Sequence, residues 1–343
     1  MTFKRTPISQ FDPFEAIGSE DREVPDEIPR DGYGRPLIAP VGVSPADCVK
    51  PKRKREKDVN YFTPYTRCST MAKALDDQVA IEGWRARKAI KGVALRTDLQ
   101  MEILAVDEED SKEGKRDMNA AVETAMEISG ANNRRRRGSA LHKFSERWDK
   151  RKPIGFMPDE HLDDMKAYIS STFGFTMQHI ERFVVNDRDQ CAGTPDRICN
   201  GKISDLKTGN DVLQYGQLSI AMQLANYADS SFYNFETGER TPFEVDPDTG
   251  IVWHLPAGEG VCHWYEVDLN IGREGIAEAK RIREMRKVKG VFTLVDSAPS
   301  SDVIHMLIDD AGNLDRCREL SVIFDREWTE EHTSHAVDLY RTA

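Results

Sequence analysis

Residues 190–209 read QCAGTPDRICNGKISDLKTG, and the fold and the chemistry are both approached from this stretch. Gln190 to Cys199 reads as one strand and Lys202 to Lys207 as the next, because the period shortens here and turn residues separate the two. Asn200-Gly201 between them is a strong two-residue hairpin signal, since both positions of such a turn need positive φ. Side chains alternate along a strand, so Asp205 and Lys207 share one face while Leu206 points into the core. Asp196 sits on the neighbouring strand of the same hairpin. Two carboxylates and an ammonium are thereby expected to converge. Such a set suits Mg²⁺, a hard cation that takes few protein carboxylates and keeps several waters. A lysine beside it can orient or deprotonate an attacking water and offset charge developing on phosphate. A lone D-x-K triplet is equally compatible with solvated charges on a hairpin, so its meaning depends on what surrounds it.

Working outward, Glu181 to Val185 reads as a strand ending in an Asn186-Asp187 turn. Ile251 to Leu255 and Val261 to Leu269 form a second strand pair across the glycine-rich turn Ala257-Gly258-Glu259-Gly260. Helical spacing appears over 74–100, 116–128, 159–173, 212–228 and 276–289, with a further helix expected to start at Ser139 as its cap and run towards Lys150. Helices, antiparallel strands, helix, strands, helix is the order of an α/β core: a mixed, mainly antiparallel sheet flanked by helices. Residues 1–58, broken by Pro25, Pro29, Pro36, Pro40, Pro45 and Pro51, read as an irregular arm. The core then spans 59–290, and 291–343 reads as a small appendage of two short helices.

The 343 residues carry a net charge of −11, which argues against a uniformly basic coat but leaves room for a locally basic groove. Basic side chains cluster at 50–57 and at Arg134 to Arg137. No apolar run reaches the roughly 18 residues that cross a bilayer, and the first residues lack the apolar stretch of a signal peptide, so a cytoplasmic location is expected. The six cysteines include no C-x-x-C pair, which points to reduced, structural thiols. No phosphate-binding G-x-x-x-x-G-K-[ST] loop, H-E-x-x-H zinc helix or G-x-S-x-G elbow occurs.

Two helices flank the hairpin with further polar pairs. His142 and Glu146 are four residues apart on one helix face, which lets an imidazole and a carboxylate approach a metal or simply pair with each other. Gln223 and Tyr227 also share a face, from which an amide and a phenol can reach phosphate oxygens or a base edge. In order, G-S-A-L-H at 138–142, G-T-P-D-R at 193–197, I-S-D-L-K-T-G at 203–209 and Q-L-A-N-Y-A at 223–228 resemble the motifs of the PD-(D/E)xK nuclease superfamily, and most closely its RecB-like exonuclease branch. The likeness covers about 138–229. That branch includes the CRISPR-associated four-cysteine nucleases; looser similarity, at 63–74, Trp84, 253–256 and 265–268, is to the stand-alone RecB-like exonucleases of tailed bacteriophages.

What the resemblance implies is a restriction-endonuclease-like fold and a Mg²⁺-dependent deoxyribonuclease, an exonuclease in phage or bacterial recombination, replication or repair, acting in the cytoplasm. Mn²⁺ would be able to substitute for Mg²⁺. His142, Asp196 and Asp205 would ligate the metal with the Leu206 carbonyl as a further ligand. Lys207 would be the catalytic lysine beside Asp205 and Asp196. Gln223 and Tyr227 would hold DNA or organise the site, with Glu146 a weaker candidate. Independently of the resemblance, the arginine run that ends in Arg137 immediately precedes the His142 helix, a place from which it can neutralise phosphate or simply be a solvated linker. The partner would be DNA, as linear or single-stranded ends, with room for a recombination protein. An iron–sulfur cluster, which the four-cysteine relatives hold near the C-terminus, is not implied, because only Cys262 and Cys317 lie downstream. An endonuclease, and a non-catalytic DNA-binding or assembly protein on the same fold, are the competing readings.

Overall fold

The computed structural model describes residues 28–294 and 300–341, so the first 27 residues of the expected arm lie outside the described chain. From residue 28 the arm is mainly irregular. It is tied down by β1 (Leu37–Ile38), which pairs with β2 (Thr63–Pro64), and is followed by β3 (Thr66–Arg67) and the short α1 (Cys68–Ala72). Then come α2 (Val79–Ala94), α3 (Thr97–Leu104) and α4 (Lys112–Ile128). The single helix expected over 74–100 is thus two, and α2 ends at Ala94, just past Gly92. Gly92 packs so close that an added Cβ would sit 1.9 Å from the Ala125 carbonyl of α4, which makes glycine obligatory at that contact.

Next, α5 (Asn133–Asp149) contains the whole arginine run, and Ser139 lies in its interior instead of capping it. Arginine is a good helix former, so the helix starts about two turns earlier than the serine signal indicated. After α6 (Leu162–Thr172) the chain enters β4 (Met177–Ile180), β5 (Val184–Asn186), β6 (Cys191–Gly193), β7 (Arg197–Cys199) and β8 (Lys202–Lys207). The large unit continues through α7 (Val212–Tyr215), α8 (Gln217–Ala228), β9 (Ser231–Tyr233), β10 (Arg240–Thr241), β11 (Thr249–His254), β12 (His263–Asp268) and α9 (Leu269–Met285). Gly216 breaks the expected 212–228 helix into α7 and α8.

The architecture is mixed α/β, but the strands form two five-stranded sheets where one was expected. Their orders are β10-β9-β5-β6-β3 and β12-β11-β8-β7-β4. Both are mixed: β3 runs parallel to β6, and β11 runs parallel to β8. β4–β5 and β6–β7 are the two arms of one bent antiparallel ribbon that crosses from sheet to sheet. Its ladder runs from Ile180↔Arg197, through a Glu181 N–H to Asp196 C=O bond of 3.0 Å, to Val184↔Gly193. Pro195 has no N–H to give a ladder, and Glu181 opposite has φ 55°, so both arms kink together. The strand expected over 190–199 is split there, and Asp196 lies at the kink. The turn at Asn200 (φ 46°) and Gly201 (φ 71°) is as expected for a two-residue hairpin.

The second sheet is covered on both faces. Ile198, Ile203 and Val252 face a core shared with Met222, Leu224 and Ala225 of α8 and Leu269 of α9. Cys199, Leu206, Ile251 and Trp253 face Leu141 of α5 and Met165 and Tyr168 of α6. Trp253, fully buried, contributes on the order of 2–3 kcal/mol by that burial. The contact between α5 and the sheet is fixed by an ion. Arg197, 2 % exposed, donates from Nε to Asp149 at 2.5 Å and from a terminal nitrogen to Ser145 Oγ at 2.8 Å. Tyr168 donates to the same Asp149 at 2.7 Å.

The described chain divides after Arg283. The smaller unit holds α10 (Ser301–Asp309), α11 (Leu314–Ile323) and α12 (Glu330–Tyr340), three helices where two were expected. Each has a side-chain cap, from Ser300, Asn313 and Thr329, and Ile304, Ile308, Cys317 and Ala336 form its core. None of the described helices is long and apolar enough to cross a membrane.

Candidate active site

The kink in the ribbon builds the site. Beyond the last ladder pair of β7 and β8, Arg197↔Ser204, the Leu206 N–H points towards β7 and finds no backbone acceptor there. The Asp196 carboxylate takes its place, accepting from Leu206 N at 2.7 Å. Asp205 and Lys207, on one face of β8 as alternation requires, meet each other: Lys207 Nζ lies 2.6 Å from Asp205 Oδ2. That face is roofed by α8. Gln223 accepts from Lys207 Nζ at 3.1 Å, and its Nε2 reaches Asp205 Oδ1 at 3.4 Å and the Tyr227 oxygen at 3.2 Å. From α5, His142 Nδ1 comes within 3.4 Å of Asp196 Oδ2. Asp196, Asp205, Lys207, His142, Gln223 and Tyr227 are therefore one contiguous group.

Burial and mutual charge set their protonation. Burial alone would raise Asp196, but the bond and charge of His142, the charge of Arg197 and the Leu206 N–H overcome it and hold the carboxyl at about 2. Asp205 goes the other way. Burial and the Asp196 charge lift it above the ordinary carboxylate range, although Lys207 opposes them. Lys207 is raised too: burial would lower it, and the adjacent Asp205 outweighs that. His142 follows the same logic, with burial opposed and outweighed by Asp196 and Asp205. Tyr227 is pushed well up by burial, so its hydroxyl stays protonated.

The remaining expected residues lie nearby with other duties. Leu206 turns its side chain into the far-face core and contributes its amide to Asp196. Glu146 pairs with Lys150 at 2.9 Å, one turn along α5. Arg137 is committed to Glu160 at 2.8 Å, with its guanidinium packed against Gly258, where an added Cβ would sit 2.5 Å from a guanidinium nitrogen.

Two residues gain a role that the strand pattern did not show. Glu181 lies opposite Asp196 at the kink, and burial together with the charges of Asp196 and Glu146 pushes it up to about 8. Arg197 is buried as the anchor of α5, the helix that carries His142. The GTPDR string contains Arg197, but nothing in the strand pattern marks it as the residue that faces α5.

Among the described residues, no three His, Cys, Asp or Glu side chains are gathered so as to hold a metal ion as they stand. Asp205 is turned onto Lys207, and Asp196 onto the Leu206 amide. The donor chemistry nevertheless suits a hard cation: two adjoining carboxylates and an imidazole. Asp205 Oδ2 is buried, and the close group that faces it is the Lys207 ammonium at 2.6 Å. A cation bound there would share this carboxylate with the ammonium. Comparison with known protein-family models finds no match to this chain, and comparison with curated proteins finds none either.

Proposed function

We propose that this chain is a divalent-cation-dependent deoxyribonuclease, an exonuclease hydrolysing DNA phosphodiester bonds, on a restriction-endonuclease-like core formed by the second sheet and the helices on its two faces. The observation that carries the reading is the meeting of the buried Asp196, Asp205 and Lys207 under Gln223, with His142 beside Asp196. Mg²⁺ is the cation proposed, held by Asp196 and Asp205 with His142 beside them; it would acidify a water and neutralise charge on the phosphate.

The chain's own residues supply the rest. Lys207, with its affinity for the proton raised, is cationic through the neutral range. Its part is to orient the water and donate to a phosphate oxygen, and not to accept a proton. Gln223 holds Lys207 and Asp205 at once, so it fixes the direction in which the ammonium points. Tyr227 keeps its proton and stays a donor. Arg197 and Asp149 hold α5, and with it His142, against β7.

The test is digestion of linear and closed-circular DNA with Mg²⁺, with EDTA, and with the Lys207→Ala protein. Loss of linear DNA alone, needing both metal and Lys207, is expected. Cleavage of circles would make the enzyme an endonuclease. DNA binding without cleavage under any condition would leave the non-catalytic reading in its place. The proposed setting is DNA recombination, replication or repair in phage or bacteria.

A further inference from the structure

A cavity of about 520 Å³ opens beside the candidate site, between α5 and the loop that follows β8. Arg135, Ser139 and His142 line it from the helix, and Thr208, Asn210 and Asp211 from the loop. Its walls are fixed. Gly138 brings α5 so close to the loop that an added Cβ would lie 2.4 Å from Thr208 Oγ1. The loop is bonded to the segment beyond β11 by Leu255 N to Lys207 O at 2.9 Å and Ala257 N to Thr208 O at 3.1 Å. His254 Nε2 adds a contact to Gly209 O at 2.9 Å. On its other side, the Asn210 side-chain amide donates to Glu259.

Within the arginine run the described side chains divide sharply. Arg136 is paired with Glu127 and Arg137 with Glu160. Arg135 has no carboxylate partner among the described residues, and it is the one that lines the cavity. The same cavity reaches His142, which contacts Asp196. A guanidinium with no carboxylate partner among the described residues, two hydroxyls and the Asn210 amide, whose second N–H is left over from Glu259, form a lining suited to phosphate oxygens. Asp211 is the one carboxylate on that lining. It disfavours a bare anion but suits a ligand that carries hydrogen-bond donors as well as phosphate, as the base edge of a nucleotide does. The volume falls within the roughly 300–1,000 Å³ of small-ligand sites, room for one unpaired nucleotide.

We infer that this cavity is a nucleotide subsite next to the scissile phosphate, with Arg135 holding the flanking phosphate of a single strand. The inference rests on the nuclease reading above, and it moves the phosphate-binding role in the arginine run from Arg137 to Arg135.

The experiment compares binding of a fluorescent single-stranded oligonucleotide, by anisotropy over a KCl series, to three proteins. These are Lys207→Ala, Lys207→Ala with Arg135→Gln, and Lys207→Ala with Arg136→Gln as the charge-matched control. Losing one phosphate contact should make the salt dependence shallower by about 0.7 in log–log slope. Arg135→Gln should also weaken binding by roughly tenfold, a phosphate contact's share, while Arg136→Gln changes it less than about twofold. In the cleavage-competent background, Arg135→Gln should lower kcat/KM, chiefly by raising KM. Equal behaviour of the Arg135 and Arg136 variants, with binding intact, would overturn the subsite and leave the nuclease reading standing. Absence of any oligonucleotide binding by a folded Lys207→Ala protein would also overturn the subsite, while the nuclease reading falls only if the parent protein fails to cleave linear DNA with Mg²⁺.

Discussion

Replacing Lys207 by alanine acts on stability and on chemistry through the same contact. Lys207 Nζ lies 2.6 Å from Asp205 Oδ2, and Asp205 is only 4 % exposed. Removing the ammonium leaves a buried carboxylate whose remaining side-chain donor is Gln223 Nε2 at 3.4 Å. Breaking a fully buried pair costs roughly 3–5 kcal/mol; with 22 % of the Lys207 side chain still exposed, about 2–3 kcal/mol is expected here. That cost must depend on pH. Asp205 is already raised by burial and by Asp196 with Lys207 opposing, so deletion of Lys207 raises it further. A carboxyl raised in the fold lends stability below its unfolded value, about 3.9, and loses it as pH climbs through the folded value. The deficit of the variant relative to the parent is therefore larger at pH 8, where the carboxyl is ionised, than at pH 5, nearer its unfolded value. Urea midpoints for both proteins at the two pH values, in EDTA, measure it. On DNA the same variant should lose about 10²–10³ in kcat, the usual effect of removing one preorganised donor. An equal deficit at pH 5 and pH 8, or cleavage at the parental rate, would refute the reasoning.

Other perturbations follow from single contacts. Gly138→Ala places a methyl on Thr208 Oγ1 and should lower both the melting temperature and activity; Thr208→Ala should recover at least about 1 kcal/mol of that loss, read from a double-mutant cycle. Asp164 accepts from the amides of Gly258 at 2.8 Å and Gly260 at 2.9 Å, so Asp164→Ala should cost about 2–3 kcal/mol. It should also speed hydrogen exchange at those two glycines, and unchanged protection there would count against the assignment. Glu181, at about 8, destabilises the fold as pH rises from its unfolded range through 8, so Glu181→Gln should be more stable than the parent at pH 8.5 and closer to it at pH 5. Denaturation at the two pH values checks this, and a pH-independent difference would contradict it.

Much of the site was legible because it depends on short-range rules. Asn200-Gly201 is a turn in any context that supplies two strands, and the two-residue spacing of Asp205 and Lys207 fixes them on one face. The four-residue spacing of Gln223 and Tyr227 likewise put them on one face of α8, where Gln223 Nε2 reaches the Tyr227 oxygen. Helix edges were read less well. Ser139 looked like a cap but lies inside α5, because its hydroxyl signal is local and the arginines before it favour helix. The strand over 190–199 looked continuous, and Pro195 was present in it, but only the partner arm shows that both arms bend there.

The sequence by itself determined the hairpin, the facing of Asp205 and Lys207, and the helices on either side, because each follows from backbone geometry within a few residues. Only the tertiary structure decided that the strands divide between two sheets, that Asp196 stands at the ribbon's kink bonded to the Leu206 amide, and that Glu181 faces it. It also decided which arginines are already neutralised: Arg136 by Glu127, Arg137 by Glu160, and Arg135 by none of the described residues. Those outcomes depend on where distant segments pack. A carboxylate's partner at 2.7 Å, or an arginine's lack of one, is a property of the assembled neighbourhood and leaves no periodic trace in the chain.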